Sequence, residues 1–86
     1  MTEEKLLEII AFYGYEKQKL KAIEEMSELT KAICKDDREN IIEELADVKI
    51  MIAQLMLIYN IDVEEVLKVM DSKVERTMNR IERQKL

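Results

Sequence analysis

Residues 24–47 read EEMSELTKAICKDDRENIIEELAD, and this stretch decides the fold. Asp36 and Asp37 form its clearest break, because aspartate favours turns and can cap the helix that follows. Before the break, apolar residues recur every three or four positions, which is typical of an amphipathic helix. After the break a second helix begins, and it is apolar over much of its length. The stretch therefore predicts two helices that fold back on each other about Asp36.

Each of the two predicted helices carries a pair of carboxylates three residues apart. Residues at this spacing lie on the same helix face, about one turn from each other. Folding about Asp36 places the two pairs level, with Glu25 opposite Asp47 and Glu28 opposite Glu44. Four like charges in one place repel strongly, so this arrangement needs a cation among them.

A divalent metal is the natural counter-charge for these carboxylates. Glu44 and Asp47 are aligned with the apolar residues Met51 and Ile58, so they open onto a poorly hydrated groove, where an uncompensated carboxylate is costly. The chain has no histidine, which argues against zinc and against histidine-containing di-iron sites. Oxygen ligands alone favour Mg²⁺, with Mn²⁺ as the alternative. The competing interpretation is a solvated, ion-paired acidic face.

The rest of the chain extends this helix pair to four helices. The 86 residues include no proline and one glycine, and most of the common residue types are good helix formers. Breaks are expected at Gly14, at residues 36–37 and at residues 60–62, with Thr2 and Asp62 as N-caps. The predicted helices cover residues 3–13, 15–35, 38–59 and 63–86.

The connections and the third helix predict the architecture. Short connections make consecutive helices antiparallel neighbours, so we predict one all-α domain over residues 1–86, an antiparallel four-helix bundle-type subunit. From Val48 to Ile58 only Lys49 and Gln54 are polar, and a monomer of this size rarely covers one helix on all sides. We therefore predict that the subunits assemble into a homodimer or homotetramer.

Charge and composition argue against several classes of function. The formal net charge of −5 disfavours a general binder of nucleic acid or of anionic membranes. The longest apolar run, residues 50–59, has about half of the roughly 20 residues that a membrane-spanning helix needs. Cys34 is the only cysteine and cannot form an intramolecular disulfide, and the acidic first residues are unlike a signal peptide. We expect a cytoplasmic protein.

The fourth predicted helix carries a basic stripe on an otherwise acidic chain. Its members recur at three-to-four spacing and share one helix face. They are Lys73, Arg76, Arg80 and Arg83. One hypothesis is that the stripe contacts phosphate groups. The other is that basic residues near a helix C-terminus complement the helix dipole and stay in solvent, which we expect for Arg83.

The acidic motifs resemble those of a known family. Residues 24–28, EEMSE, and residues 44–47, ELAD, resemble the Glu-Glu-x-x-Glu and Glu-x-x-Asp signature of the all-alpha nucleoside triphosphate pyrophosphohydrolases, the MazG-like superfamily. The resemblance extends over about residues 15–83. It implies that Mg²⁺ is bound by Glu25, Glu28, Glu44 and Asp47. It also implies that Glu24 or Glu28 orients or deprotonates the attacking water.

The same resemblance implies a reaction and a set of substrate contacts. Family members split a nucleoside triphosphate into the monophosphate and pyrophosphate, a role in nucleotide housekeeping. The basic segment of the fourth helix is similar to a segment found late in many members, and Gln18 matches a glutamine near the nucleotide pocket of relatives. The substrate-binding residues predicted in this way are Lys73, Arg76, Asn79, Arg80 and Gln18.

Two hypotheses without catalysis compete with the enzyme. A helical oligomerisation or interaction module would retain the fold but bind little magnesium and turn over no nucleotide. A coiled-coil assembly protein is disfavoured because the breaks near Gly14, Asp36 and Asn60 limit each helix to the length of a bundle helix. The full set of four converging acids favours the enzyme, since a module that kept only the fold has no need of them.

Overall fold

The computed structural model describes all 86 residues and consists of four α-helices without a strand. In chain order they are α1 (Glu3–Tyr13), α2 (Tyr15–Lys35), α3 (Arg38–Ile58) and α4 (Val63–Gln84). The all-α class and the number of helices predicted from the sequence are confirmed. None of the four helices combines the length and the apolar character that a membrane span requires.

The helix ends lie where the capping chemistry predicts them. The Thr2 hydroxyl accepts a hydrogen bond from the Lys5 amide at the start of α1. The Asp37 carboxylate caps α3, and Asp62 caps α4 in a reciprocal arrangement with Glu65. Such caps satisfy amide groups that have no partner within the helix. These local interactions fix where α1, α3 and α4 begin, and the Asp37 cap does so for one of the two helices that carry the acidic motifs.

The three joints need backbone conformations that few residue types adopt easily. Asp36 and Asn60 both have a positive φ, of 56° and 54°, and aspartate and asparagine tolerate the left-handed region better than most side chains. Gly14 has a φ of 90°, at which a residue with a Cβ atom is strained. It is the single residue between α1 and α2 and caps both helices.

The core lies where α1, α2 and α3 meet, since these three helices pack against one another. Ala22 and Ala32 on α2 are almost fully buried, and such small side chains permit α3 to approach closely. Leu6 and Ile10 of α1 are buried against the α2–α3 pair, and Val48 and Met51 of α3 complete the core. The α2–α3 pair is therefore the frame that positions the acidic residues.

The fourth helix does not close a bundle within the chain, and this part of the prediction is wrong for the single subunit. No residue of α4 is buried, and α4 takes part in none of the packed helix pairs. The subunit is consequently elongated, about 55 × 33 × 21 Å. The reason is that α1 already packs on the α2–α3 pair, while the turn at Asn60 directs α4 away from it.

Two apolar surfaces remain uncovered in the single chain. The apolar stripe of α4 has side chains that are between 40% and 61% exposed. Its members are Val63, Leu67, Met70, Val74, Met78 and Ile81. The second surface is formed by exposed apolar residues of the α2–α3 pair, which include Ile23, Ile33, Ile42, Leu45 and Ile52. Apolar exposure on this scale exceeds what scattered surface residues account for.

Candidate metal and substrate site

The fold brings carboxylates of α2 and α3 together as the sequence predicts. One carboxylate oxygen each of Glu25, Glu44 and Asp47 lies within 4.8 Å of the others. In octahedral Mg²⁺ coordination, ligand oxygens are separated by about 3 to 4 Å, given metal–oxygen distances of about 2.1 Å. Small side-chain rotations would therefore bring the three oxygens to coordination distance. We call these three residues the acidic cluster.

Glu44 shows that the acidic cluster fits a cation. Its Oε2 atom is buried and has no hydrogen-bond partner, although buried carboxylate oxygens are usually paired. Burial raises the pKa of the Glu44 carboxyl, and the negative charges of Asp47, Glu25, Glu28 and Glu43 raise it further. A divalent cation at this position would supply the missing partner and reverse both effects.

Glu28 lies at the edge of the acidic cluster rather than within it. It is half-buried and close enough to influence the pKa of Glu44, but it is not among the three residues whose oxygens converge. Its carboxylate forms an ion pair with Lys31, with 3.4 Å between the nitrogen and the oxygen. Glu24 is exposed and lines the neighbouring cleft. Three of the four predicted metal ligands are thus brought together.

A cleft of about 540 Å³ borders the acidic cluster, which is within the usual size range of small-molecule sites. The first helix contributes two residues to it, α2 contributes six and α3 contributes four. The lining residues are Ile9, Tyr13, Lys17, Gln18, Leu20, Lys21, Glu24, Glu25, Asp47, Ile50, Met51 and Gln54. The cleft thus combines an apolar wall with acids, amides and two lysines.

Two buried glutamines form the amide pair of the cleft. The Gln18 Nε2 atom donates a hydrogen bond of 2.7 Å to the Gln54 Oε1 atom. Both side chains are more than nine-tenths buried. Neither of them, however, has a fully buried amide atom without a hydrogen-bond partner. Both residues line the cleft, to which the pair offers the Gln18 amide oxygen as an acceptor and the Gln54 amide nitrogen as a donor.

Gln18, a predicted substrate-binding residue, lines the cleft, and so does Gln54, which the sequence analysis did not name. The signal was available, because Gln18 and Gln54 are symmetric about Asp36 in the same way as Glu25 and Asp47. A polar residue within the apolar run of α3 is also unusual enough to suggest a specific partner.

Two lysines of α2 were also missed. Lys17 and Lys21 line the cleft one helical turn apart. The Lys21 Nζ atom lies 3.2 Å from Glu25 Oε1, so it is in direct contact with the acidic cluster. The hydrogen bond to Glu25 is the main cause that raises the pKa of Lys21, with smaller effects of Glu24 and Asp47. The four-residue spacing between Lys21 and Glu25 was the signal that pointed to this contact.

The predicted basic residues of α4 are not brought to the acidic cluster within one chain. They are Lys73, Arg76, Asn79 and Arg80, all exposed, and none of them lines the cleft. Arg76 and Asn79 instead share a shallow polar groove along α4 itself. At 100° per residue, Arg76 also lies on the face of α4 opposite the apolar stripe, and Arg80 lies on the flank of the stripe. Their role in substrate binding stays a prediction.

Comparison with known proteins places the chain in a family. Residues 14–81 match the model of the MazG nucleotide pyrophosphohydrolase domain, and no curated protein and no solved structure matches significantly. A match over most of the chain shows that the protein belongs to the MazG nucleotide pyrophosphohydrolase domain family. This confirms the resemblance found in the acidic motifs. The matched range includes α2, α3 and most of α4, and so contains every predicted site residue.

Proposed function

We propose that this chain is a divalent-metal-dependent nucleoside triphosphate pyrophosphohydrolase, with Mg²⁺ as its first metal and Mn²⁺ as the alternative. The observation that carries the proposal is the Glu44 carboxylate, which has a buried oxygen without a hydrogen-bond partner and which converges with the carboxylates of Glu25 and Asp47. An uncompensated buried carboxylate is destabilising unless a cation or a hydrogen-bond donor accompanies it. Family membership supplies the class of substrate.

Metal binding would involve the acidic cluster first. Glu25, Glu44 and Asp47 provide three carboxylates, and Glu28 would join them if its ion pair with Lys31 opened. When bound, the metal supplies positive charge that offsets the charge of the triphosphate and makes water more acidic. A set made of oxygen ligands alone suits magnesium or manganese better than a softer metal.

The hydrolysis step needs a base beside the cleft. Glu24, which lines the cleft and is exposed, would accept a proton from the attacking water, and Glu28 is the second candidate. The oxygen of the water forms a bond to the α-phosphorus, and the bond between the α-phosphorus and its bridging oxygen breaks. The electron pair of that bond leaves with pyrophosphate, while the nucleoside monophosphate remains.

The rest of the cleft would hold the nucleoside. Tyr13, Ile50 and Met51 offer an apolar wall against which a base can pack. The free donor and acceptor of the Gln18–Gln54 amide pair can form hydrogen bonds with a base edge or a sugar hydroxyl. These contacts would orient the nucleoside so that its phosphates extend toward the acidic cluster.

The subunit is proposed to work as a homodimer or homotetramer. The apolar stripe of α4 and the exposed apolar surface of the α2–α3 pair are each too apolar to remain in water. A second copy of the chain offers the complementary surface for both. In such an assembly, α4 of one subunit would lie beside the cleft of another. Only in this way would the predicted substrate-binding residues of α4 reach a cleft; they are Lys73, Arg76, Asn79 and Arg80.

The test is release of pyrophosphate from a panel of nucleoside and deoxynucleoside triphosphates, each with Mg²⁺, with Mn²⁺ and with a chelator. We expect metal-dependent release of pyrophosphate and monophosphate. Glu44→Ala and Asp47→Ala should abolish it while circular dichroism and oligomer mass stay unchanged, and Glu8→Ala, an exposed position on α1, should be fully active. No turnover across the panel at high protein concentration would favour the non-catalytic module instead.

A further inference from the structure

We propose that Lys21 is an exchangeable counter-ion of the acidic cluster, one that pairs with Glu25 before metal binds and turns to a phosphate of the substrate afterwards. The inference rests on the proposed function, and it assigns the phosphate contact to α2 rather than to the basic stripe of α4. Three observations carry it: the position of Lys21, the unequal exposure of the two paired side chains, and the placement of the other basic residues.

The two side chains of the Lys21–Glu25 pair differ in exposure, so the ammonium is freer to move than the carboxylate. The Lys21 side chain is 51% exposed, whereas the Glu25 side chain is only 13% exposed. Lysine has a flexible four-carbon chain with a compact charge at its end. The ammonium can therefore leave the Glu25 oxygen and swing across the cleft mouth, while the carboxylate stays in the acidic cluster.

Lys21 supplies positive charge directly beside the acidic cluster. Its Nζ atom contacts Glu25 and lies within the electrostatic influence of Glu24 and Asp47. A divalent cation on the same carboxylate competes with the ammonium directly, since both interact with the Glu25 oxygens.

The cleft offers few other sources of positive charge to a triphosphate. Lys17 and Lys21 are the two basic side chains that line it, and Lys17 has no ion pair of its own within the chain. Arg76 projects from the face of α4 opposite its apolar stripe, and Arg80 from the flank of the stripe. Burying that stripe against another subunit would turn Arg76 away from the contact. Lysines are well suited to bind phosphate as point charges.

The test compares Lys21→Met with Lys19→Met, a matched control on the same helix. Lys19 pairs with Glu16 and lies over the Tyr59 ring, and it does not line the cleft. Calorimetry first measures Mg²⁺ and Mn²⁺ affinity without nucleotide, then the affinity of pyrophosphate at saturating metal. Lys21→Met should bind the metal about tenfold more tightly, because a nearby positive charge is gone. It should bind pyrophosphate about tenfold more weakly, because a charge-assisted hydrogen bond is lost.

These two opposite shifts are the signature of an exchangeable counter-ion. Lys21→Arg, which keeps the charge, should bind the metal as the unaltered chain does. Unchanged or weaker metal binding in Lys21→Met, or pyrophosphate affinity equal to that of Lys19→Met, would overturn the proposal. If the unaltered chain bound both ligands and only the Lys21 effects were missing, the proposed function would survive. If it bound neither ligand, both proposals would fail together.

Discussion

The amide pair of the cleft permits a quantitative test of how it contributes to stability. Replacing Gln54 by leucine leaves the amide of Gln18, which is 7% exposed, without its 2.7 Å partner. A buried polar group that loses its partner costs about 1–3 kcal/mol. Because the Gln18 amide also borders the cleft, water can replace part of the lost interaction, so we expect about 1–2 kcal/mol. Gln18→Leu should cost a similar amount.

The double substitution distinguishes this explanation from simple loss of packing. With both glutamines replaced by leucine no buried amide is left unpaired, and such paired replacements can be nearly neutral. The double variant should therefore be less destabilised than the sum of the two single variants, by at least about 1 kcal/mol. Gln84→Leu, at an exposed position near the end of α4, should change stability by less than about 0.5 kcal/mol.

Urea unfolding followed by circular dichroism is the appropriate assay, with the slope of the transition checked for constancy. Protomer concentration must be the same for all variants, because unfolding of an oligomer depends on it. Additivity of the two single effects within about 0.5 kcal/mol would refute the reasoning. The stable double variant should still release pyrophosphate, but with a raised KM if the amides contact the nucleoside.

Three further predictions follow from the acidic cluster and from α4. Mg²⁺ at a hundred times its Kd should stabilise the chain by about 2.7 kcal/mol in thermal melts, and Glu44→Ala should lose this gain. In chelator, the raised pKa of Glu44 means that the folded chain holds a proton more tightly than the unfolded chain does. Stability measured by urea midpoint should therefore fall as pH rises from about 4.5 through the raised pKa, and Glu44→Gln should flatten this fall. Val74→Glu, in the apolar stripe, should lower the mass measured by light scattering to that of a monomer, whereas Ser72→Glu, on the opposite face, should not.

The helix boundaries and the pairing of α2 with α3 could be predicted because they depend on local chemistry. Gly14, Asp36 and Asn60 are residue types that adopt positive φ values, and the structure places the joints at these residues. Once the turn at Asp36 is fixed, the pairing of the two helices follows from their periodicity. That is why Glu25 and Asp47 could be placed together from the sequence alone.

The position of α4 could not be predicted in the same way. Its apolar stripe shows that one face must be covered, but periodicity does not tell whether the cover comes from the same chain or from another. A short connection was interpreted as evidence for an antiparallel neighbour, and the turn at Asn60 leads elsewhere. The distance between the basic stripe and the acidic cluster depends on this tertiary arrangement, so it was equally inaccessible.

The contact between Lys21 and Glu25 was missed for a different reason. Acidic motifs were interpreted as ligands for a cation, and the basic residues of the same helix were not considered as competitors for the same oxygens. Lysine four residues before a glutamate is normally a modest surface ion pair. Its significance becomes visible only when the glutamate is seen to be largely buried beside Glu44 and Asp47.

The charge balance of the cleft constrains the order in which metal and nucleotide bind. Glu24, Glu25 and Asp47 line a cleft that has only two lysines, and Glu44 belongs to the same acidic cluster, so without a metal the site is net negative and repels a triphosphate. On our proposal, a divalent cation would remove this excess and at the same time free Lys21 from Glu25. The Lys21 ammonium would thus become available to the cleft when the metal has neutralised the carboxylates. An acidic chain can bind a polyanion in this way, provided that the metal arrives before the nucleotide or together with it.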